Sequence, residues 1–113
     1  MAKRELSQDI SEIGNLLRNC KDDADVTKIS SEIEKHTHKI KGLAPMMNQE
    51  KIGKIAALLD KLLKSVVDGK PSSGIQKTIR ESYNFMQNTL DGKLADYESL
   101  QSEIEKNHND LLQ

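Results

Sequence analysis

Apolar residues recur along this chain with the period of an α-helix, in five segments that are separated by short breaks. The segments span about residues 5–20, 26–44, 50–67, 72–90 and 93–111. No stretch has the alternating β-branched pattern of a strand. Because short connections favour antiparallel neighbours, the pattern predicts an all-α fold. The specific prediction is an antiparallel up-and-down four-helix bundle with an additional C-terminal fifth helix.

The length and charge of the chain limit its classes of function. Its 113 residues are enough for one compact domain, which we expect to span 1–113, and too few for two ordinary ones. Charged residues make up 31% of the chain but nearly cancel, leaving a formal net charge of −1. This balance gives neither the basic surface of a nucleic-acid-binding protein nor a polybasic segment for a membrane surface. We therefore expect no nucleic-acid partner and no membrane partner.

The cysteine content and the N-terminal segment predict a cellular location. Cys20 is the single cysteine, so no internal disulfide can form and a reducing compartment is expected. We interpret it as a small buried apolar residue. The segment MAKRELSQDI lacks the apolar stretch of a signal peptide, and no window reaches the length of a transmembrane helix. These features predict a cytoplasmic protein.

The breaks between segments contain residues that end or begin helices. The last aspartate of KDDAD (21–25), Asp25, can cap the second helix. Pro45 predicts that the second helix either kinks or ends there, and the sequence leaves both outcomes open. Asn48 can adopt the left-handed conformation that turns the chain into the third helix, and Gly92 can do the same after the fourth.

The segment HTHKIKG (36–42) contains two histidines that a helix separates. Each residue advances about 100° around the helix axis. His36 then lies within roughly 40° of the apolar stripe that includes Ile40, while His38 lies about 160° away from it. We expect His36 at the edge of the core and His38 in solvent. The same geometry excludes a metal site made jointly by His36 and His38, since helical ligand pairs need a spacing of about three or four.

The helix also places a distinctive set of side chains around His38. Lys35 and Lys41 lie three residues away on either side, Glu34 lies at i−4, and Gly42 at i+4. Glycine inside a helix costs about 1 kcal/mol relative to alanine. Its presence leaves space for another protein to approach His38, and the lysines would favour an anionic group there. An ordinary solvated helix face, with Gly42 as a helix-end signal before Pro45, is the alternative.

Residues 38–42, His38-Lys39-Ile40-Lys41-Gly42, resemble the signature of the histidine phosphotransfer (HPt) family: His, any residue, an aliphatic residue, Lys, Gly. The similarity continues through LAPMMNQEKIGKIAALLDKLL (43–63), where the chain is most similar to the N-terminal phosphotransfer domain of chemotaxis kinases of the CheA type. The family fold is an antiparallel four-helix bundle, with a further helix in the chemotaxis version. That fold agrees with the five segments described above.

The resemblance implies a role for four residues. His38 would accept a phosphoryl group on an imidazole nitrogen and pass it to an aspartate of a response-regulator receiver domain. Lys41 would lie near the phosphoryl oxygens, and Gly42 would keep His38 accessible. Asp60 falls at the position of a glutamate that orients the imidazole through its other ring nitrogen. A solvated surface acid is the alternative for Asp60.

The resemblance also implies the partners of the chain. They are the ATP-binding domain of a histidine kinase, a receiver domain, or both. We expect no cofactor and no metal in this chain, because Mg²⁺ belongs to the partner receiver or kinase domain. With no ATP-binding motif, the chain would be a phosphocarrier rather than an enzyme, either free-standing or as one domain of a larger histidine kinase. We expect a monomer.

The sequence also departs from the family pattern and leaves other hypotheses open. Ala57 stands where chemotaxis domains usually have a histidine, Asn48 where they have a glycine, and Asp60 is shorter than the expected glutamate. A degenerate helical adaptor that binds signalling partners without phosphotransfer is therefore the alternative function.

Two other classes of protein fit the sequence poorly. The candidates for a hydrolytic site, Ser30, Ser31 and His108, share no recognisable nucleophile–base arrangement, and we interpret His108 as a partly buried packing residue. Gly, Pro and Asp-Gly breaks argue against a long coiled coil.

Overall fold

The computed structural model describes residues 2–71 and 73–112, and every regular element in these ranges is an α-helix. This result confirms the all-α prediction. The helices are α1 (Ala2–Leu17), α2 (Asp23–Lys28), α3 (Ser30–Met46), α4 (Glu50–Val67), α5 (Ile75–Leu90), α6 (Tyr97–Asn107) and α7 (Asn109–Leu112).

The helices enclose one hydrophobic core that is almost entirely aliphatic. Helix α3 packs against α4, α4 against α5, α5 against α1, and α1 against α3. Helices α6 and α7 lie against α4, and α6 also contacts α5. The most buried side chains include Leu6, Ile33, Ile40, Ile55 and Leu59. The radius of gyration is 12.8 Å, close to the value of about 13 Å expected for a compact chain of this length.

The second predicted segment is two helices rather than one, and its cap is Asp22 rather than Asp25. The Asp22 carboxylate accepts a hydrogen bond from the Asp25 backbone N–H at 2.9 Å, and the Asp25 carboxylate accepts one from the Lys21 N–H at 2.9 Å. This reciprocal pair starts α2 one turn earlier than predicted. The helix then stops at Ile29, whose backbone has φ −110° and ψ 15°, before α3 begins at Ser30.

The sequence left open whether the helix kinks or ends at Pro45. Helix α3 includes Pro45 and ends one residue later, at Met46. The next residues close the helix with a Schellman motif: the N–H of Gln49 donates to the Ala44 carbonyl at 2.8 Å, and that of Asn48 to the Pro45 carbonyl at 3.1 Å. Asn48 has φ 60°, as predicted. This turn connects α3 to α4, the two helices that carry the candidate site, and they pack against each other.

The fifth predicted segment, 93–111, is also two helices, and its first helix begins later than predicted. Asp96 caps α6 by accepting a hydrogen bond from the Ser99 N–H at 3.0 Å, so the helix begins at Tyr97. Leu94 precedes the helix and is fully exposed, while Leu100 occupies the apolar face. The helical structure is interrupted again at His108, between α6 and α7.

The helices were also compared with the requirements of a membrane span. Within residues 2–71 and 73–112, none combines the length and the apolar character needed to cross a bilayer.

Candidate functional site

His38 lies in the middle of α3 and is the exposed histidine of the pair. Its side chain is 62% exposed, while Ile40, two residues on, is fully buried. His36 is half-buried, and its Nδ1 lies 3.0 Å from Oδ1 of Asp9 on α1. The separation predicted from the helix period is therefore confirmed: His36 helps to join α1 to α3, and His38 faces solvent.

Asp60 of α4 is buried directly beside His38. Only 2% of its side chain is exposed, so it is not the solvated surface acid that the sequence left as an alternative. Its Oδ2 lies 3.8 Å from Nδ1 of His38 and 3.4 Å from Nζ of Lys41. The first distance is too long for a hydrogen bond but short enough for electrostatic attraction. His38, Lys41 and Asp60, which the sequence singled out from different helices, thus form one cluster.

Two further charged residues complete this cluster, which we call the His38 cluster: Glu34, His38, Lys41, Asp60 and Lys64. Nζ of Lys64 lies 3.2 Å from Oδ2 of Asp60, one helical turn along α4. Glu34 lies one turn before His38 on α3, with its carboxyl group beside that of Asp60. Sequence reasoning placed Glu34 near His38 but gave it no role, and it missed Lys64. The signal available in both cases was a spacing of four residues.

The charges of the cluster set the protonation of its two carboxyl groups. Burial alone would raise the pKa of Asp60, but a hydrogen bond from Glu34 and the nearby ammonium groups of Lys64 and Lys41 outweigh burial and lower it. The same shared hydrogen bond, with burial second, raises the pKa of Glu34. That bond exists only while Glu34 is protonated. When both groups are ionised, Oδ1 of Asp60 has no hydrogen-bond partner among the described residues.

The surface next to His38 is open on the side of Gly42. A Cβ atom added at Gly42 would meet nothing within 4 Å. A groove of about 820 Å³ runs here between α1 and α3, and its walls include His36, His38, Gly42 and the exposed Met46. A large group can therefore reach His38 from solvent. Lys35, the other flanking lysine, is exposed and is not one of the residues within ion-pair distance of Asp60.

The residues considered for hydrolysis have other partners. The Ser30 hydroxyl is buried and donates to the Val26 carbonyl at 3.0 Å, and Ser31 is exposed. Nε2 of His108 lies 2.6 Å from Oγ1 of Thr78, and the His108 side chain is buried, as predicted for a packing residue. Cys20 is buried as expected, and burial raises the pKa of its thiol, which disfavours the reactive thiolate.

The chain was compared with protein-family models, with curated proteins and with solved structures, and none of the three comparisons found a match. The geometry of the His38 cluster and the sequence resemblance of residues 38–63 are therefore the grounds for a function.

Proposed function

We propose that this chain is a histidine-containing phosphotransfer module of the HPt type. In this proposal His38 accepts a phosphoryl group and passes it to the aspartate of a receiver domain in a two-component or chemotaxis-type phosphorelay. The observation that carries the proposal is an exposed imidazole held beside a buried carboxylate and a lysine, next to a glycine that leaves the approach open.

The arrangement suits His38 as a nucleophile. An imidazole that is neutral at physiological pH has one nitrogen with a lone pair. A proton on Nδ1, the nitrogen that faces Asp60, leaves the lone pair on Nε2. Nε2 can then attack phosphorus, forming the N–P bond as the bond from phosphorus to the donor breaks. Lys41, already within 3.4 Å of Asp60, can turn toward the phosphoryl oxygens. The partner's active site would supply Mg²⁺, so no cofactor is assigned to this chain.

We also infer the topology that belongs to this function. Helices α1, α3, α4 and α5 each contact two of the others and so form a closed ring, which supports an antiparallel four-helix bundle. Helices α6 and α7 would be the additional C-terminal segment. The proposed module is a single domain over 1–113, monomeric and cytoplasmic, whose partners are the ATP-binding domain of a histidine kinase and a receiver domain.

The test of this proposal is phosphorylation of two matched histidine variants. The chain is incubated with a panel of kinase ATP-binding domains plus labelled ATP, and with phosphorylated receiver domains. We expect phosphate that is acid-labile and alkali-stable on the unmodified chain. Labelling should disappear in His38→Gln and persist in His36→Gln, because His36 is paired with Asp9 for packing.

Two results would contradict the proposal. Undiminished labelling of His38→Gln would show that another residue carries the phosphate. A partner that binds equally to the unmodified chain and to His38→Gln, without labelling by any donor, would favour the adaptor alternative. Ala57 and Asn48 motivate this alternative, because both depart from the family pattern, and the methyl group of Ala57 cannot replace a histidine in hydrogen bonding.

A further inference from the structure

Three residues of the His38 cluster present atoms that can bind a metal ion. One ligand atom from each of Glu34, His38 and Asp60 lies within 4.8 Å of the other two. Glu34 and His38 are four residues apart on α3, the spacing at which two helical side chains can share one metal. Asp60 reaches the same point from α4.

The burial of the Asp60 carboxylate distinguishes these three residues from a group of surface carboxylates. The Asp60 side chain is 98% buried, and when Glu34 is ionised, as a metal ligand must be, Oδ1 of Asp60 has no hydrogen-bond partner among the residues that the structure describes. Its other oxygen, Oδ2, is the one beside the two lysines. A buried carboxylate oxygen without a partner is unfavourable, and a cation bound to this carboxylate would compensate for the missing hydrogen bond.

The donor set indicates which cation fits. Imidazole nitrogen and carboxylate oxygen are both ligand types for Zn²⁺, and three protein ligands leave the fourth position of a tetrahedral site open. Bond lengths of about 2.0–2.2 Å would require ligand atoms about 3.3 Å apart, so the side chains must move closer by about 1.5 Å at most. His38 is exposed and Glu34 half-buried, so both can move while Asp60 stays fixed.

We propose that Glu34, His38 and Asp60 form a binding site for a divalent transition metal, for which Zn²⁺ is the best match, with water as the fourth ligand. The ammonium groups of Lys41 and Lys64 oppose this binding, because both lie close to Oδ2 of Asp60. Each lysine is roughly half-exposed and can turn into solvent when the metal enters.

Metal binding would regulate His38, a consequence that rests on the proposed function. The nitrogen of His38 nearest Asp60 is Nδ1. A metal on Nδ1 leaves the proton of the neutral ring on Nε2, so Nε2 loses the lone pair with which it would attack phosphorus. Zn²⁺ and phosphorylation would therefore exclude each other.

In the binding test, ZnCl₂ alone is added to the full chain at pH 7. Calorimetry measures the affinity for Zn²⁺, and the imidazole ¹⁵N resonances of His38 report whether the ring binds the metal. We expect Glu34→Gln to weaken Zn²⁺ binding by about tenfold or more, since it removes one of three ligands. Glu32→Gln is the matched control, because Glu32 is an exposed glutamate of the same helix, and it should leave the affinity unchanged. Lys64→Gln should tighten binding by about two- to fivefold.

Two outcomes of this test would overturn the site. One is equal affinity of Glu34→Gln and Glu32→Gln for Zn²⁺, and the other is the absence of a Zn²⁺-dependent shift of the His38 resonances. Neither readout requires phosphorylation, so they can fail while the proposed function holds.

A second measurement addresses regulation. Zn²⁺ should inhibit labelling of the unmodified chain, with recovery on addition of EDTA, and should inhibit Glu34→Gln only at about tenfold higher concentration. Labelling that is insensitive to Zn²⁺ at concentrations that saturate the site would overturn the exclusion. Zn²⁺ binding by a chain that no donor phosphorylates would contradict the proposed function and leave the metal site standing.

Discussion

At the scale of single residues, Gly42 differs from the other glycines inside long helices. A Cβ atom added at Gly14 would lie 2.6 Å from the Tyr83 ring, and one added at Gly53 would lie 3.0 Å from the Pro45 ring. These two glycines allow helices to approach closely. No neighbour approaches Gly42 in this way, so packing does not account for it. Gly42 leaves space beside His38, and this access explains why a residue that destabilises the helix occupies the position.

We predict that Gly42→Ala stabilises the protein. Alanine loses less conformational entropy in a helix, so the free energy of unfolding should rise by about 0.5–1 kcal/mol. Denaturant unfolding followed by circular dichroism measures the change. Gly53→Ala is the control and should lose this gain, because its Cβ would press on the Pro45 ring. A loss of stability in Gly42→Ala would show that this position has a packing role.

At the scale of elements, the six-residue helix α2 depends on its neighbours. A helix this short is not stable through propensity alone. Its Asp23 carboxylate accepts hydrogen bonds from the backbone N–H groups of Gly74 and Gln76, each at 2.8 Å. Both donors are at the start of α5, where backbone N–H groups lack partners within the helix. Asp23 therefore satisfies the end of α5 and fixes α2 at the same time.

Replacing Asp23 with alanine should lower the free energy of unfolding by about 1–2 kcal/mol, the usual cost of a lost helix cap. The measurement is equilibrium urea unfolding. Asp68→Ala provides the comparison, because Asp68 is an exposed aspartate at the other end of a helix and should change stability by about 0.5 kcal/mol or less. Equal effects of the two substitutions would contradict the role given to Asp23.

At the scale of the whole molecule, the C-terminal helices are held to the rest of the structure by buried polar contacts. His108 bonds to Thr78 on α5, and the Ser65 hydroxyl of α4 donates to the Leu111 carbonyl at 2.8 Å. Only 3% of His108 is exposed. Burial lowers the pKa of His108 from its ordinary value of 6.5, and the charge of Asp23 offsets only part of this effect. Protonation of His108 should therefore destabilise the junction between α6 and α7.

We predict that His108 makes stability depend on pH below neutrality. The unfolded chain binds a proton at this histidine more readily than the folded chain does, so acidification through pH 6.5 favours unfolding. The contribution is fully present above pH 6.5 and is lost as the pH falls toward the lower pKa of the folded state. The free energies of unfolding of the unmodified chain and of His108→Gln should therefore converge between pH 7.5 and about pH 5. A difference that is independent of pH would contradict this prediction.

The sequence predicted elements best where local signals define both ends. The segment predicted at 50–67 is α4, Glu50–Val67, because Asn48 and the Asp68–Gly69 pair end the apolar pattern on either side. The second segment failed where distant residues decide the backbone. The break at Ile29 goes with the attachment of α2 to α5 through Asp23, which no local pattern reveals. The start of the fifth segment was predicted too early for a local reason, because the cap at Asp96 begins α6 later than the spacing of apolar residues indicated.

The same division holds for the candidate site. The sequence by itself determined that His36 turns inward and His38 outward, because the period of the helix follows from backbone geometry and needs no knowledge of the neighbouring helices. Only the tertiary structure decided that Asp60 is buried beside His38 and that Glu34 joins it. Those distances depend on how α3 and α4 pack, and packing is set by side chains far apart in the sequence.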